Sequence, residues 1–361
     1  MKKKIIFCIP ELVIGGVDIA LCELLYALKQ LNTYEISVIT KKYSPQQRFD
    51  SFFRDNNIIL YNMSLRWKFC KIIERALIKF KIKNILKSND IIIDFSYCSF
   101  LKYHKNLKRP KITWLHCSFP NFKNKVFIKD LDFYNKIICV SKTLASDIKK
   151  TYPHLKDKLS SVYNPLNLDK IIKGSSEIIF TVNKPYFVSV QRIDKSEKDI
   201  ETVIKAFNLF VKKYSNFYLY IVGDGDKEYK SYLQNICESN NIIFTGQLQN
   251  SYAIIKDAQA LILSSTKEVG EGMPVVLQEA QALHTLAISS DVPSGPHEIL
   301  LGGSAGLLFE PGNYNQLEKI LEDTVAKKDL CQNLINCGIM NLNRFNPSLV
   351  AQDFVKIIED L

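Results

Sequence analysis

A chain of 361 residues that is 47% hydrophobic and 24% charged has a globular composition, and it is long enough that two domains are expected rather than one core. Its apolar runs all fall short of the roughly 20 residues that cross a bilayer, and Glu11 interrupts the first of them too early for a signal peptide, so a cytoplasmic protein is expected. The net charge of +11 is lopsided: residues 1–170 hold 31 Lys and Arg against 14 Asp and Glu, or +17, and the remainder 17 against 23, or −6.

The basic half calls for an anionic partner. No recognised nucleic-acid module is present, which leaves phospholipid head groups or a phosphorylated acceptor rather than nucleic acid. Nine cysteines without a CxxC pair signal neither a zinc site nor a disulfide framework, and they read as buried thiols.

In chain order, KKIIFCIP predicts a first strand, followed by the glycine turn Gly15-Gly16 and a helix with Ile19, Leu21, Leu24, Leu25 and Leu28 at apolar positions. EISVIT, DIIIDFS, KITWLHCS and NKIICVS read as further strands of a parallel sheet covered on both faces. Between the second and third strands, SLRWKFCKIIERALIKFKIKNILK at 64–87 predicts a basic amphipathic helix. Leu65, Phe69, Ile72, Ile73, Ala76 and Phe80 gather on one side; Arg66, Lys68, Lys71, Arg75, Lys79 and Lys83 lie mostly elsewhere. Its apolar stripe suits a protein core or an anionic membrane, and the +17 charge favours the membrane.

The turn-rich stretch SSVYNPLNLDKIIKGSSEIIFTVNKP places a domain boundary near residue 170. A second series of strands and helices runs from YFVSVQRI to GLLF, and NPSLVAQDFVKIIEDL predicts a final helix. The expected organisation is two doubly wound α/β domains, 1–170 and 171–345, with a helix at 346–361 that packs back on the first.

In open parallel sheets, ligands bind beyond the carboxyl ends of the strands, where backbone amides at helix N-termini meet phosphate. Gly15 and Gly16 stand at such a place, as a packing turn or as a close approach to a ligand. IVGDG contains Gly223 and Gly225, but Glu228 replaces the third glycine of a dinucleotide fingerprint. Arg192, Lys195 and Lys198 follow the strand YFVSVQRI. An Arg fork and a compact Lys charge suit a diphosphate, although Asp194, Glu197 and Asp199 interleave as in a solvated charge run. His116 ends the strand KITWLHCS, where a lone His is more often structural than catalytic.

The stretch STKEVGEGMPVVLQE is the exit loop of the strand ALILSS and the start of a helix, with Pro274 in the first turn. The amides of Gly272 and Met273 can meet a phosphate or a sugar hydroxyl, and Glu271 and Glu279 accept hydrogen bonds from hydroxyls. A ligand with hydroxyls at both ends and a diphosphate between them is a nucleotide sugar.

These landmarks, together with SKTLASDI, YNPLN, FTGQL and SDVPSGPHEIL, resemble in order those of the retaining family-4 glycosyltransferases of the GT-B fold, bacterial surface-polysaccharide type, over nearly the whole chain. The resemblance implies two Rossmann-like domains facing a central cleft. It implies that Arg192 and Lys198 grip the donor diphosphate, that Glu279 holds the nucleotide ribose, and that Glu271 lies near the transferred sugar. Gly272, Met273 and Pro274 would contact sugar or phosphate. Gly15-Gly16 would approach the diphosphate or acceptor, and His116 the donor sugar.

The resemblance further implies metal-independent catalysis without a cofactor. The substrates it implies are a nucleotide-sugar donor, a UDP-sugar, and a lipid-linked or lipopolysaccharide or capsular saccharide acceptor, with the enzyme peripheral on the inner face of the cytoplasmic membrane. Three departures stand out: a longer loop TKEVG that leaves Glu268 as a competitor for the role of Glu271, Asp199 in place of a glycine, and His284 in place of another. A non-catalytic GT-B scaffold and a GT-B sugar-nucleotide epimerase are the alternatives.

Overall fold

The computed structural model describes residues 2–12, 15–43, 47–64, 71–177 and 182–361. The chain divides into two compact units. Unit 1 comprises Met1–Cys117, Phe122–Leu166 and Phe345–Leu361, and unit 2 comprises Ser118–Asn121 and Asn167–Arg344.

Unit 1 is built on a seven-stranded sheet. In chain order its strands are β1 (Lys3–Leu12), β2 (Tyr34–Tyr43), β3 (Ile59–Asn62), β4 (Ile91–Asp94), β5 (Lys111–Leu115), β6 (Lys136–Cys139) and β7 (Leu159–Ser161). Their spatial order is β3-β2-β1-β4-β5-β6-β7, and every pairing is parallel. The continuous apolar run of β1 follows from burial on both faces. Ile5, Phe7 and Ile9 enter a core on one side of the sheet, and Ile6 and Cys8 enter one on the other.

The final helix, Pro347–Glu359, belongs to unit 1. Val350, Ala351, Phe354, Ile357 and Ile358 recur at helical spacing and join the first of those cores. The Phe354 ring lies 5.9 Å from that of Phe7 and 5.3 Å from that of Trp114.

The helix Lys71–Lys87 takes up the C-terminal part of the 64–87 segment; Leu65, Arg66, Lys68 and Phe69 lie outside the described residues. Its core stripe is Ile78, Ile82, Ile85 and Leu86. Phe80, expected on the apolar stripe, is 66% exposed, and Leu77 is 56% exposed. The helix thus buries one apolar face and leaves a second outside.

Unit 2 is built on a six-stranded parallel sheet of β8 (Tyr186–Val190), β9 (Tyr218–Val222), β10 (Ile242–Gly246), β11 (Ala260–Leu263), β12 (Leu286–Ser290) and β13 (Leu307–Phe309), in the order β10-β9-β8-β11-β12-β13. Among the described residues no helix is long and apolar enough to cross a membrane, and no described cysteine forms a disulfide. Cys337 is exposed, which corrects the expectation that the thiols are all buried.

Candidate functional site

The carboxyl edge of the unit 2 sheet collects most of the residues singled out in the sequence. Ser264 and Ser265 follow β11 at once, and the helix Val275–Ala282 begins ten residues later. Lys198 leaves the loop after β8 and reaches across to this edge. Its Nζ donates to Ser265 Oγ at 3.3 Å and forms an ion pair with Glu271, 73 residues further along the chain. Ser265 Oγ also donates to Glu271. The Lys198 and Glu271 side chains are only 13% and 14% exposed, so the pair is largely removed from water and each member depends on the other. Glu268 is exposed and belongs to the turn that Gly270 N closes on Thr266 O at 2.9 Å. The extra length of the TKEVG loop is absorbed in that turn, and Glu271 is the carboxylate that meets Lys198.

Arg192 lies apart from that pair in its bonding. It is 67% exposed, contacts Glu197, and stands 3.9 Å from Asp194. The interleaved acids are therefore its partners. Its loop is held by the IVGDG segment: Gln191 N donates to Val222 O at 3.0 Å, Ile193 N to Asp224 O at 3.1 Å, and Asp226 N to Ile193 O at 2.8 Å. A Cβ at Gly223 would come within 2.0 Å of Gln191 O, and one at Gly225 within 2.2 Å of Ile193 O, with both backbones at positive φ. Those glycines serve the close packing of the Arg192 loop.

Asp199 caps the helix Ile200–Lys213, accepting from Thr202 N at 3.2 Å and Thr202 Oγ1 at 2.6 Å. Its φ of −106° needs no glycine. His284 differs: its φ is +58°, in the left-handed region where a glycine is expected.

Pro274 precedes the helix Val275–Ala282 as its N-cap, with φ −70°, rather than sitting within the first turn. Gly272 is half-buried and Met273 buried; of the first-turn amides Leu277 N donates to Pro274 O at 3.1 Å, and those of Val275 and Val276 have no acceptor within the helix. Glu279 is half-buried one turn further on. Two neighbours escaped the sequence reading. Ser294 pairs with Glu271 in an isolated bridge and has φ +84°, with a buried hydroxyl that lacks a hydrogen-bond partner. Gln278 is fully buried, and both of its amide atoms lack partners. Strained or unsatisfied groups of this kind gather where a site is held for a ligand. The SDVPSG run carried the only sequence signal for Ser294.

In unit 1, Gly15 is the N-cap of the helix Gly16–Leu31, with an extended φ of −154°. A Cβ there would meet only Asp18 Oδ2, at 3.6 Å, so neither conformation nor packing requires a glycine. His116 follows β5 and packs on Phe95 and Trp114, its ring 4.5 Å and 5.7 Å from theirs. It keeps some surface exposure, yet both ring nitrogens are sealed and lack a well-formed hydrogen bond. Burial pushes its pKa down to about 3, against a smaller opposite pull from Asn164. A neutral His116 can donate or accept a hydrogen bond but does not carry a proton near neutral pH, which narrows the catalytic part expected of it. Tyr97 and Cys98, at φ +47° and +58°, shape the neighbouring loop, where Tyr97 OH donates to His116 O at 2.8 Å.

The fold is that of a GT-B glycosyltransferase. Over 99% of this chain and all of the other, the structure resembles Anabaena HepE, crystallised with UDP and glucose, with a TM-score of 0.80 at 16% identity. Residues 14–170 match the model of Glycosyltransferase Family 4, and residues 175–339 match that of Glycosyl transferases group 1. The chain belongs to the family-4 glycosyltransferases.

Among curated relatives, a lipopolysaccharide 1,6-galactosyltransferase of Salmonella typhimurium is 26% identical over 280 residues, 74% of each chain. An uncharacterized glycosyltransferase of Methanocaldococcus jannaschii is 30% identical over 166 residues, 42% of this chain, and the match spans 39% of that relative's length.

Proposed function

We propose that this protein transfers a hexose or N-acetylhexosamine from a nucleotide diphosphate sugar, a UDP-sugar, to a lipid-linked, lipopolysaccharide or capsular saccharide, with retention of anomeric configuration. The observation that carries the reading is the convergence of Lys198, Ser265 and Glu271 at the carboxyl edge of the unit 2 sheet, in front of the Val275–Ala282 helix. Phosphate suits that edge because the cation and the amide dipoles both oppose its charge.

In the mechanism, Lys198 and Arg192 neutralise the leaving diphosphate as the glycosidic bond breaks, and the amides of Gly272 and Met273 add to that stabilisation. Glu271 accepts from hydroxyls of the transferred sugar and Glu279 from the ribose. Gly15, free of any structural demand for glycine, lets the backbone approach the diphosphate or the acceptor. These residues supply the electrostatic stabilisation, so no metal or cofactor is invoked and activity should survive a chelator. The Salmonella relative's acceptor, named lipopolysaccharide, supports a surface-glycan acceptor.

The exposed Leu77 and Phe80 among the lysines of the Lys71–Lys87 helix support peripheral docking on an anionic cytoplasmic membrane surface. Vesicles containing phosphatidylglycerol should bind the protein in low salt and release it in high salt; equal recovery with neutral vesicles would remove the docking. For the reaction itself, mass spectrometry of nucleotide released from a UDP-sugar panel, with and without saccharide acceptor, is the test. Acceptor-dependent release of UDP is expected. Binding without release would indicate a scaffold, and conversion of the donor without acceptor an epimerase.

A further inference from the structure

Unit 1 contains a cavity of about 370 Å3 lined by Lys41, Arg75, Lys79 and Lys102 over an apolar wall of Met63, Ile78 and Tyr103. The volume falls at the small end of the range for ligand sites, roughly 300–1,000 Å3. Its position follows from the topology. Lys41 lies near the end of β2, Met63 directly follows β3, and Lys102 and Tyr103 belong to the short helix Leu101–His104 that comes after β4. The cavity therefore opens at the carboxyl edge of a parallel sheet, where such sheets take their ligands. Arg75 and Lys79, one turn apart on the Lys71–Lys87 helix, project from the same face.

Among the described residues, no acidic side chain lines this cavity. The acid behind it, Asp94, is fully buried and already accepts from Ser99 Oγ at 2.9 Å, Phe100 N at 2.8 Å and Tyr134 OH at 2.9 Å. Lys41 donates to Ser99 O at 3.0 Å and lies 4.8 Å from the Phe100 ring centroid. Burial lowers its pKa, Asp94 opposes that shift, and Lys102 adds to it. Four cations held at one cavity repel one another, and a multivalent anion removes that repulsion. The apolar wall accounts for the remainder of such a ligand.

We propose that this cavity is a diphosphate-binding site separate from the nucleotide edge of unit 2. The diphosphate sits among Lys41, Arg75, Lys79 and Lys102, and whatever it esterifies lies along Met63, Ile78 and Tyr103. Used together with the proposed transferase activity, and resting on that reading for this part alone, the site seats an acceptor that carries its saccharide on a diphosphate.

Calorimetry of the full chain tests the site with two probes, inorganic pyrophosphate and farnesyl diphosphate, a cavity variant separating it from the donor edge. The variant is Arg75→Gln with Lys79→Gln. The control is Lys149→Gln with Lys150→Gln, an equal loss of charge at exposed positions elsewhere in unit 1. Saturable one-site binding is expected, weakened on the order of a hundredfold in the cavity variant, about tenfold per charge-assisted contact, and within twofold in the control. Tighter binding of farnesyl diphosphate than of pyrophosphate assigns the site to a lipid-borne diphosphate, and equal binding assigns it to a free one. No saturation by either probe, or equal weakening in both variants, overturns the proposal. UDP affinity measured on the same proteins reports on the donor reading separately, since its absence in the parent chain would sink that reading whatever pyrophosphate does.

Discussion

Lys198 and Arg192 at the unit 2 edge have acidic partners, whereas among the described residues the lining of the unit 1 cavity supplies none to its cations. Lys198 has Glu271, and Arg192 has Glu197 with Asp194 nearby, whereas Lys41, Arg75, Lys79 and Lys102 line a cavity with no acid among its described lining residues. The glycines divide in the same way. Gly223 and Gly225 are required by packing, and Gly15 is not. A site whose charges are paired is held in shape by the protein itself. Groups left unmatched, or small without a steric reason, point to something outside the chain.

The sharpest contrast is between glycines. Gly223→Ala forces a methyl against Gln191 O and should cost at least about 3 kcal/mol in denaturant unfolding, or prevent folding altogether. Gly15→Ala should leave stability within about 0.5 kcal/mol while impairing turnover. A stable Gly223→Ala protein would remove the packing explanation for IVGDG.

Next in size is the matched cation. Lys198→Ala removes the charge facing the leaving group, and kcat should fall roughly a hundredfold, about 3 kcal/mol. It also strands Glu271 in a half-dry site, so stability should fall as well. Ordinary turnover in a folded variant would exclude Lys198 from the chemistry.

His116 gives a pH signature in unit 1. Its folded pKa of about 3 lies below its unfolded value, so the unfolded chain binds the extra proton between those two values. Stability must then drop as pH falls through that window, by about 2 kcal/mol at pH 5. In His116→Phe this part of the acid loss should vanish, as read by urea unfolding at pH 7 and pH 5.

The smallest effects are relief of strain and of repulsion. His284→Gly should stabilise the protein by roughly 0.5–1 kcal/mol, because glycine takes the left-handed conformation without penalty. Lys79→Gln should be neutral or stabilising by a few tenths of a kcal/mol, since it relieves the one-turn repulsion with Arg75. A clear loss of stability would mean that the cavity cations have partners after all.

Most of the strands and the two parallel sheets were legible in the sequence. Strands such as β1 and β4 announce themselves by apolar runs buried on both faces, and the loop-to-helix stretch around Glu271 by its glycines and Pro274. The short edge strands β3 and β7 were not legible, because ILYN and LSS have too few residues for a period to show. The pairing of Lys198 with Glu271 spans 73 residues, and no local pattern encodes it. Ser294 was hidden because its strained backbone depends on its tertiary bridge to Glu271. The cavity of unit 1 draws on β2, β3 and two helices, so the sequence showed its excess charge but not where that charge converges.

The division of the donor between the two glutamates is the most direct test of the account. Calorimetry with UDP on Glu279→Ala and Glu271→Ala should show UDP affinity reduced about tenfold or more in the first, through loss of a charged acceptor for the ribose hydroxyls, and close to that of the parent in the second, which should instead lose transfer. Equal UDP affinities in both variants and the parent, or a loss confined to Glu271→Ala, would contradict it.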